Sequence, residues 1–176
     1  MMSDDIERWM LTVIIVLWWL FMPETGYSND DESILPHVLY MFSHANVWHM
    51  LGNLFILWIL RRPLFMPAAF LIGFFASYLP VLPGLWDLTN QDSMVTMGMS
   101  GMLFAIIGIK WGNYYRLAQS LGEAAEKKAF KDFCVKVLPF VIGGALLPHV
   151  NWSIHLYCLL AGTLYGKLIG FEIKKG

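Results

Sequence analysis

Six apolar stretches, set apart by polar and charged intervals, divide the 176-residue chain. They cover residues 9–22, 47–60, 64–82, 97–115, 133–147 and 152–171, and each predicts a membrane-spanning helix. Several are shorter than the roughly 20 residues of a perpendicular span, so helix ends are expected to reach into the headgroup layer or the bundle to thin the bilayer locally. A cleaved signal peptide is the competing reading of the first stretch. Its leading residues Asp4, Asp5, Glu7 and Arg8 are mainly acidic and no small-x-small site follows, so it is taken as a retained span. Between the fourth and fifth stretches, residues 116–132 mix Leu, Ala and Phe with charges, which suits a short helix lying on the membrane surface. No repeat or linker interrupts the chain, and a single domain over residues 1–176 is expected.

Composition strengthens the membrane reading. Hydrophobic residues make up 57% and charged residues 14%, with mean hydropathy +0.56, where a soluble domain carries about a quarter of its residues as charges. Lys and Arg then orient the bundle. With a cytoplasmic N-terminus, the inner segments hold Arg61, Arg62, Arg116, Lys127, Lys128, Lys131, Lys174 and Lys175. The outer loops hold no Lys or Arg but carry Glu24, Asp30, Asp31, Glu32, Asp87 and Asp92. That asymmetry fits six spans with both termini inside. A net charge of −1 and the lack of a basic face interleaved with aromatics argue against a nucleic-acid partner. Cys134 and Cys158 sit in apolar stretches without CxxC spacing and read as buried thiols.

Polar residues inside the spans are costly unless they face the bundle or a water-filled cavity. Ser100 near the start of span four, His155 near the start of span six, and His49 with Asn53 in span two all fall at one depth by this topology. His49 and Asn53, four apart, share a helical face. Span four carries Gly101, Ala105, Gly108 and Gly112, and span six carries Gly162, Gly166 and Gly170. Small residues at that spacing let two helices approach closely and bring Ser100 to His155. Gly98 and Gly101 leave room beside the serine for a substrate backbone. Ser100 then reads as a nucleophile and His155 as its base, with the Ser100 N–H, His49 and Asn53 as oxyanion donors. No Asp or Glu lies in an apolar stretch, so a dyad rather than a triad is expected.

These residues carry a resemblance to the rhomboid intramembrane serine proteases in their minimal six-helix form. His44, His49 and Asn53 match a His-x4-His-x3-Asn pattern in the second helix. Gly98, Ser100 and Gly101 match Gly-x-Ser-Gly at the head of the fourth, and His155 with Gly162 matches the catalytic histidine and the glycine seven residues on. The resemblance implies an all-α rhomboid-like bundle in which Ser100 is the nucleophile, His155 the base, and His49 and Asn53 oxyanion donors. Three features depart from the pattern. Cys158 stands where many members have glycine, and is expected to loosen the contact between helices four and six. The first outer loop lacks a Trp-Arg pair, and Arg61-Arg62 follows helix two where a glutamate is frequent.

Other readings of these residues compete with this one. A glycine-flanked serine in a membrane helix is usually a packing residue, and a lone histidine there is often a helix-to-helix hydrogen bond. His44, before the expected N-cap Asn46, reads as a loop anchor. His37 and His149 read as interfacial residues, and Trp18-Trp19 as part of an outer aromatic belt. The His-Glu-x-x-His motif of a metalloprotease is absent from the sequence. A metal site built from His44, His49 and His155 is the geometric alternative, and a catalytically inactive rhomboid-like scaffold the functional one. Inverted repeats that would mark a transporter are not evident. The expected activity is serine endopeptidase cleavage, without cofactor or metal, of single-span membrane proteins whose helix unwinds near the outer face. The expected location is multi-pass in a prokaryotic plasma membrane, with the site toward the outside.

Overall fold

The computed structural model describes residues 4–22, 24–28, 30–61, 63–82, 95–146 and 150–170. Arg62, Asp87, Asp92, His149, Lys174 and Lys175 lie outside the described residues. Within them the chain forms α1 (Asp4–Phe21), α2 (Ile34–Leu39), α3 (Val47–Ile59), α4 (Met66–Ala76), α5 (Ser100–Leu121), α6 (Glu123–Lys136), α7 (Leu138–Leu146) and α8 (Trp152–Ile169). One isolated antiparallel bridge joins Tyr27 to Thr96.

The second and sixth apolar stretches coincide with α3 and α8 to within two residues, while α1 begins five residues before the first stretch and takes in Asp4, Asp5, Glu7 and Arg8. The others shift for identifiable reasons. The fourth helix does not stop at residue 115 but runs to Leu121, where Gly122 turns the chain with φ 103°. The surface helix therefore starts at Glu123 rather than 116, and it continues through Lys136 into the stretch read as the fifth span. Pro139, which has no N–H and would clash with the carbonyl four residues back, fits the start of α7 and not the middle of a longer helix. The third stretch is helical only over Met66–Ala76. The six-residue α2 went unread in the sequence because it is too short to show a period.

Helix α5 is central, and its contact with α8 is the most extensive in the molecule. The glycine stripes explain it. A Cβ at Gly108 would lie 2.3 Å from the Leu159 carbonyl oxygen and one at Gly112 2.0 Å from that of Thr163. From the other side, a Cβ at Gly162 would lie 2.4 Å from Ala105 O and one at Gly166 2.0 Å from Ile109 O. The two backbones touch, so only glycine fits at these four positions. Gly170, also counted in the stripe, instead faces the Arg116 guanidinium. Helix α4 packs against both α5 and α8. On the periphery, α1 is joined to α3 by Trp9 stacked edge-on to Trp58 at 4.8 Å, by Trp58 Nε1 donating to Thr12 Oγ1 at 3.2 Å, and by Arg8 donating to Leu60 O at the end of α3.

The outer surface of the bundle carries many large apolar side chains. Leu17, Phe55, Phe75, Phe140 and Leu164 are all exposed, on five different helices. Yet among the described residues no helix is long and apolar enough to cross a membrane. The 13 residues of α3 reach only about 20 Å at 1.5 Å per residue, against about 30 Å of hydrocarbon. Helix α6 differs from the rest, with Glu123 and Glu126 in its first turn and Lys136 in its last, both favourable to the helix dipole. Its Asp132 carboxyl, hydrogen-bonded to Lys136, is held below the usual carboxylate range.

Candidate active site

The N-terminal ends of α3, α5 and α8 meet at one place, and they carry the polar residues singled out in the sequence. Ser100 is the first residue of α5 and His155 lies in the first turn of α8. His155 Nε2 is 2.8 Å from Ser100 Oγ. The imidazole stacks on Phe104, one turn after the serine on α5, with ring centroids 4.5 Å apart and planes 19° from parallel. Its other nitrogen, Nδ1, is buried and has no hydrogen-bond partner among the described residues. It faces Gly144 of α7, where a Cβ would come to 3.4 Å. Among the described residues, packing and the serine itself orient the ring, and no third polar group bonds to it.

Helix α3 supplies the second part of the site. Asn46 caps it by accepting the His49 N–H at 2.9 Å, as the sequence predicts, and this fixes where His49 begins its turn. Both His49 and Asn53 converge on Gly98: a Cβ there would meet the His49 ring at 2.6 Å and Asn53 Nδ2 at 3.4 Å. Gly98 also has φ 115°, a conformation that favours glycine, so both space and backbone demand it. Its N–H donates to Tyr40 O at 2.8 Å. Asn53 is buried, and its Nδ2 has no partner among the described residues, a donor held ready near the serine. The amides at the start of α5 have no preceding carbonyls in the helix to bond. The His49 ring and the Asn53 amide thus gather at Gly98, two residues before Ser100.

Several expectations change here. Cys158 does not loosen the seam between α5 and α8: it is fully buried, and a Cβ on Gly101 would come to 3.4 Å from its sulfur, ordinary contact. Gly101 faces Ile154, Cys158 and the Tyr40 hydroxyl, while Gly162 serves the seam below the site. His44 is buried beside His49, ring centroids 5.1 Å apart, with Nδ1 on the Phe42 carbonyl at 3.3 Å; it holds the loop before α3 rather than reaching the serine. Among the described residues no three His, Cys, Asp or Glu side chains converge as a metal site, so His44, His49 and His155 do not form one. His37 is not interfacial. It is buried between Tyr27 and Tyr78 and bonded to Ser77 Oγ at 2.9 Å, because the short α2 folds back onto the end of α4. Trp18 donates to Ser43 Oγ at 3.0 Å, leaving Trp19 as the outward-facing member of the pair.

Sequence reasoning passed over Phe104, Tyr40, Thr96 and Asn151. Phe104 had a signal, since it stands four residues from Ser100 on the same helical face. Asn151 also had one, as the N-cap residue of α8.

Residues 31–172 match the rhomboid domain family, and the chain belongs to it. A protein of Acanthamoeba polyphaga mimivirus whose name describes it as a putative rhomboid protein is 22% identical over 170 residues, covering 93% of this chain and 91% of its own. No solved structure matches. Rhomboid domains are membrane-embedded, and the apolar exterior of this bundle agrees with that location.

Proposed function

We propose that this chain is an intramembrane serine endopeptidase acting through Ser100 and His155, and that the observation carrying the reading is the 2.8 Å contact between Ser100 Oγ and His155 Nε2. Neutral His155 takes the Ser100 proton as Oγ attacks the scissile carbonyl. The oxyanion is stabilised by the Ser100 N–H, His49 and Asn53. His155 then gives the proton to the leaving amine, and the peptide bond breaks to leave an acyl-serine. A water molecule, deprotonated by the same imidazole, attacks this ester and releases the new carboxyl end with Ser100 restored. No step needs a metal or cofactor.

The substrates on this reading are single-span membrane proteins. An α-helical backbone shields its carbonyls from a nucleophile, so cleavage favours helices that unwind near the outer face, with Gly, Ala or Ser by the cut. The chain crosses the membrane six times with both termini in the cytoplasm and the site toward the outside. Its short helices require local thinning of the bilayer. Support for this topology comes from the Lys and Arg asymmetry and from the shared level of the α3, α5 and α8 N-termini.

The test is cleavage of a reporter transmembrane substrate by the purified protein in liposomes. Ser100→Ala and His155→Ala, at matched folding, are each expected to cut kcat by about 10³-fold or more. Absence of cleavage by the parent across several substrates, with no fluorophosphonate labelling of Ser100, would favour an inactive rhomboid-like binding protein instead.

A further inference from the structure

Thr96 stands four residues before Ser100, and Asn151 four residues before His155. The Asn151 side chain joins the two segments. Its Nδ2 donates to Thr96 Oγ1 at 2.7 Å and reaches Tyr27 Oη at 3.5 Å. Its Oδ1 accepts the Ile154 N–H at 3.3 Å, capping α8, and the Ser153 hydroxyl as well. Thr96 is itself fixed by paired backbone bonds to Tyr27 of 3.0 and 2.8 Å. Asn151 is buried, 8% exposed. Capping needs only an oxygen, and a serine would supply it. The amide nitrogen is surplus to that task, and its bond to a hydroxyl 55 residues away in the chain ties two segments rather than shaping a turn.

We propose that Asn151 is a positioning residue that sets the distance between Ser100 and His155. The inference rests on the serine–histidine reading above. Because His155 Nδ1 has no partner among the described residues, the placement of the imidazole depends on where the head of α8 stands relative to the segment that delivers the serine. The glycine seam fixes α5 against α8 on one side of the pair, and the Asn151–Thr96 bond fixes their leading segments on the other. Together they do by backbone placement what an orienting carboxylate does in a triad.

The test compares Thr96→Val, which removes the hydroxyl at nearly constant shape, Thr96→Ser, which keeps it, and Asn151→Ser, which keeps the cap but cannot span to Thr96. Liposome cleavage and the rate of fluorophosphonate labelling of Ser100 are measured per folded protein. Thr96→Val and Asn151→Ser are each expected to lower kcat about tenfold with KM within about twofold, as small misplacements of reacting groups do. Labelling should slow in step, and Thr96→Ser should restore the parent kcat. The double variant should lose no more than Asn151→Ser alone, since the bond that Thr96→Val removes is already gone there. Unchanged kcat in Thr96→Val and Asn151→Ser, or losses that add in the double variant, would overturn the positioning role while leaving the protease reading intact. If Asn151→Ser does not fold, the Thr96 pair carries the test alone. A parent without Ser100-dependent cleavage overturns both the proposed function and this inference.

Discussion

One nitrogen of His155 meets a serine hydroxyl, and the other has no partner among the described residues. The 2.8 Å Ser100–His155 contact and the Phe104 stack leave the imidazole only small freedom, and the buried Nδ1 has Gly144 rather than a carboxylate before it. On the proposed reading, the oxyanion donors are more numerous: a side-chain amide, an imidazole and a helix N-terminus. Asn53→Ala removes the donor that has no other partner among the described residues. It is expected to lower kcat by about 10²-fold with little change in KM, the signature of a bond made in the transition state. Steady-state cleavage at several substrate densities in liposomes checks this, and a change confined to KM removes Asn53 from the role. Ser100, His155, His49 and Asn53 were legible in the sequence because polar groups at one depth of an apolar bundle are conspicuous. The burial of His37 was not, since it depends on α2 folding back onto α4.

Helix α5 owes its position to the absence of side chains. At Gly108, Gly112, Gly162 and Gly166 the facing backbone lies where a Cβ would be, so the seam with α8 is continuous from below the site toward the other end of both helices. Gly166→Val should separate the helices, destabilising the protein by about 1–3 kcal/mol and reducing activity through lost registry of His155. By contrast, Gly52 on α3 has open space around its missing Cβ, and Gly52→Ala should leave stability within about 0.5 kcal/mol of the parent. Thermal unfolding in detergent distinguishes the two; equal effects would mean that the seam does not set stability. The stripe in α5 and α8 was legible from spacing alone. The end of α5 and the start of α6 were not, because the apolar pattern fades gradually there while the break is made by the positive φ of Gly122.

At the scale of the whole molecule, an apolar exterior is combined with helices of uneven length, from the 22 residues of α5 down to the 6 of α2, none of which among the described residues is both long and apolar enough to cross a membrane. The proposed topology places the α5–α6 turn inside and the loop between α1 and α2 outside. Single cysteines at Asp30 and Lys127, in a Cys134→Ser and Cys158→Ser background that retains cleavage, should therefore react with an impermeant maleimide from opposite faces of oriented vesicles. Labelling of both from one face would overturn the six-span arrangement. The acidic first turn of α6 and its Lys136–Asp132 pair at 3.1 Å belong to water or headgroups rather than hydrocarbon, in keeping with a helix on the surface.

The sequence by itself determined the helical class, the rhomboid pattern, the candidate serine and histidine, and the glycine seam, because each is written in local residue type and spacing. Tertiary structure decided what depends on segments distant in the chain. It brought Asn151 to Thr96, left the Asn53 amide and His155 Nδ1 without partners among the described residues, seated Cys158 against Gly101, and folded His37 inward. Hydrophobic period and small-residue spacing act within one helix and can be read along it. A hydrogen bond between residues 55 positions apart exists only once the helices between them have packed.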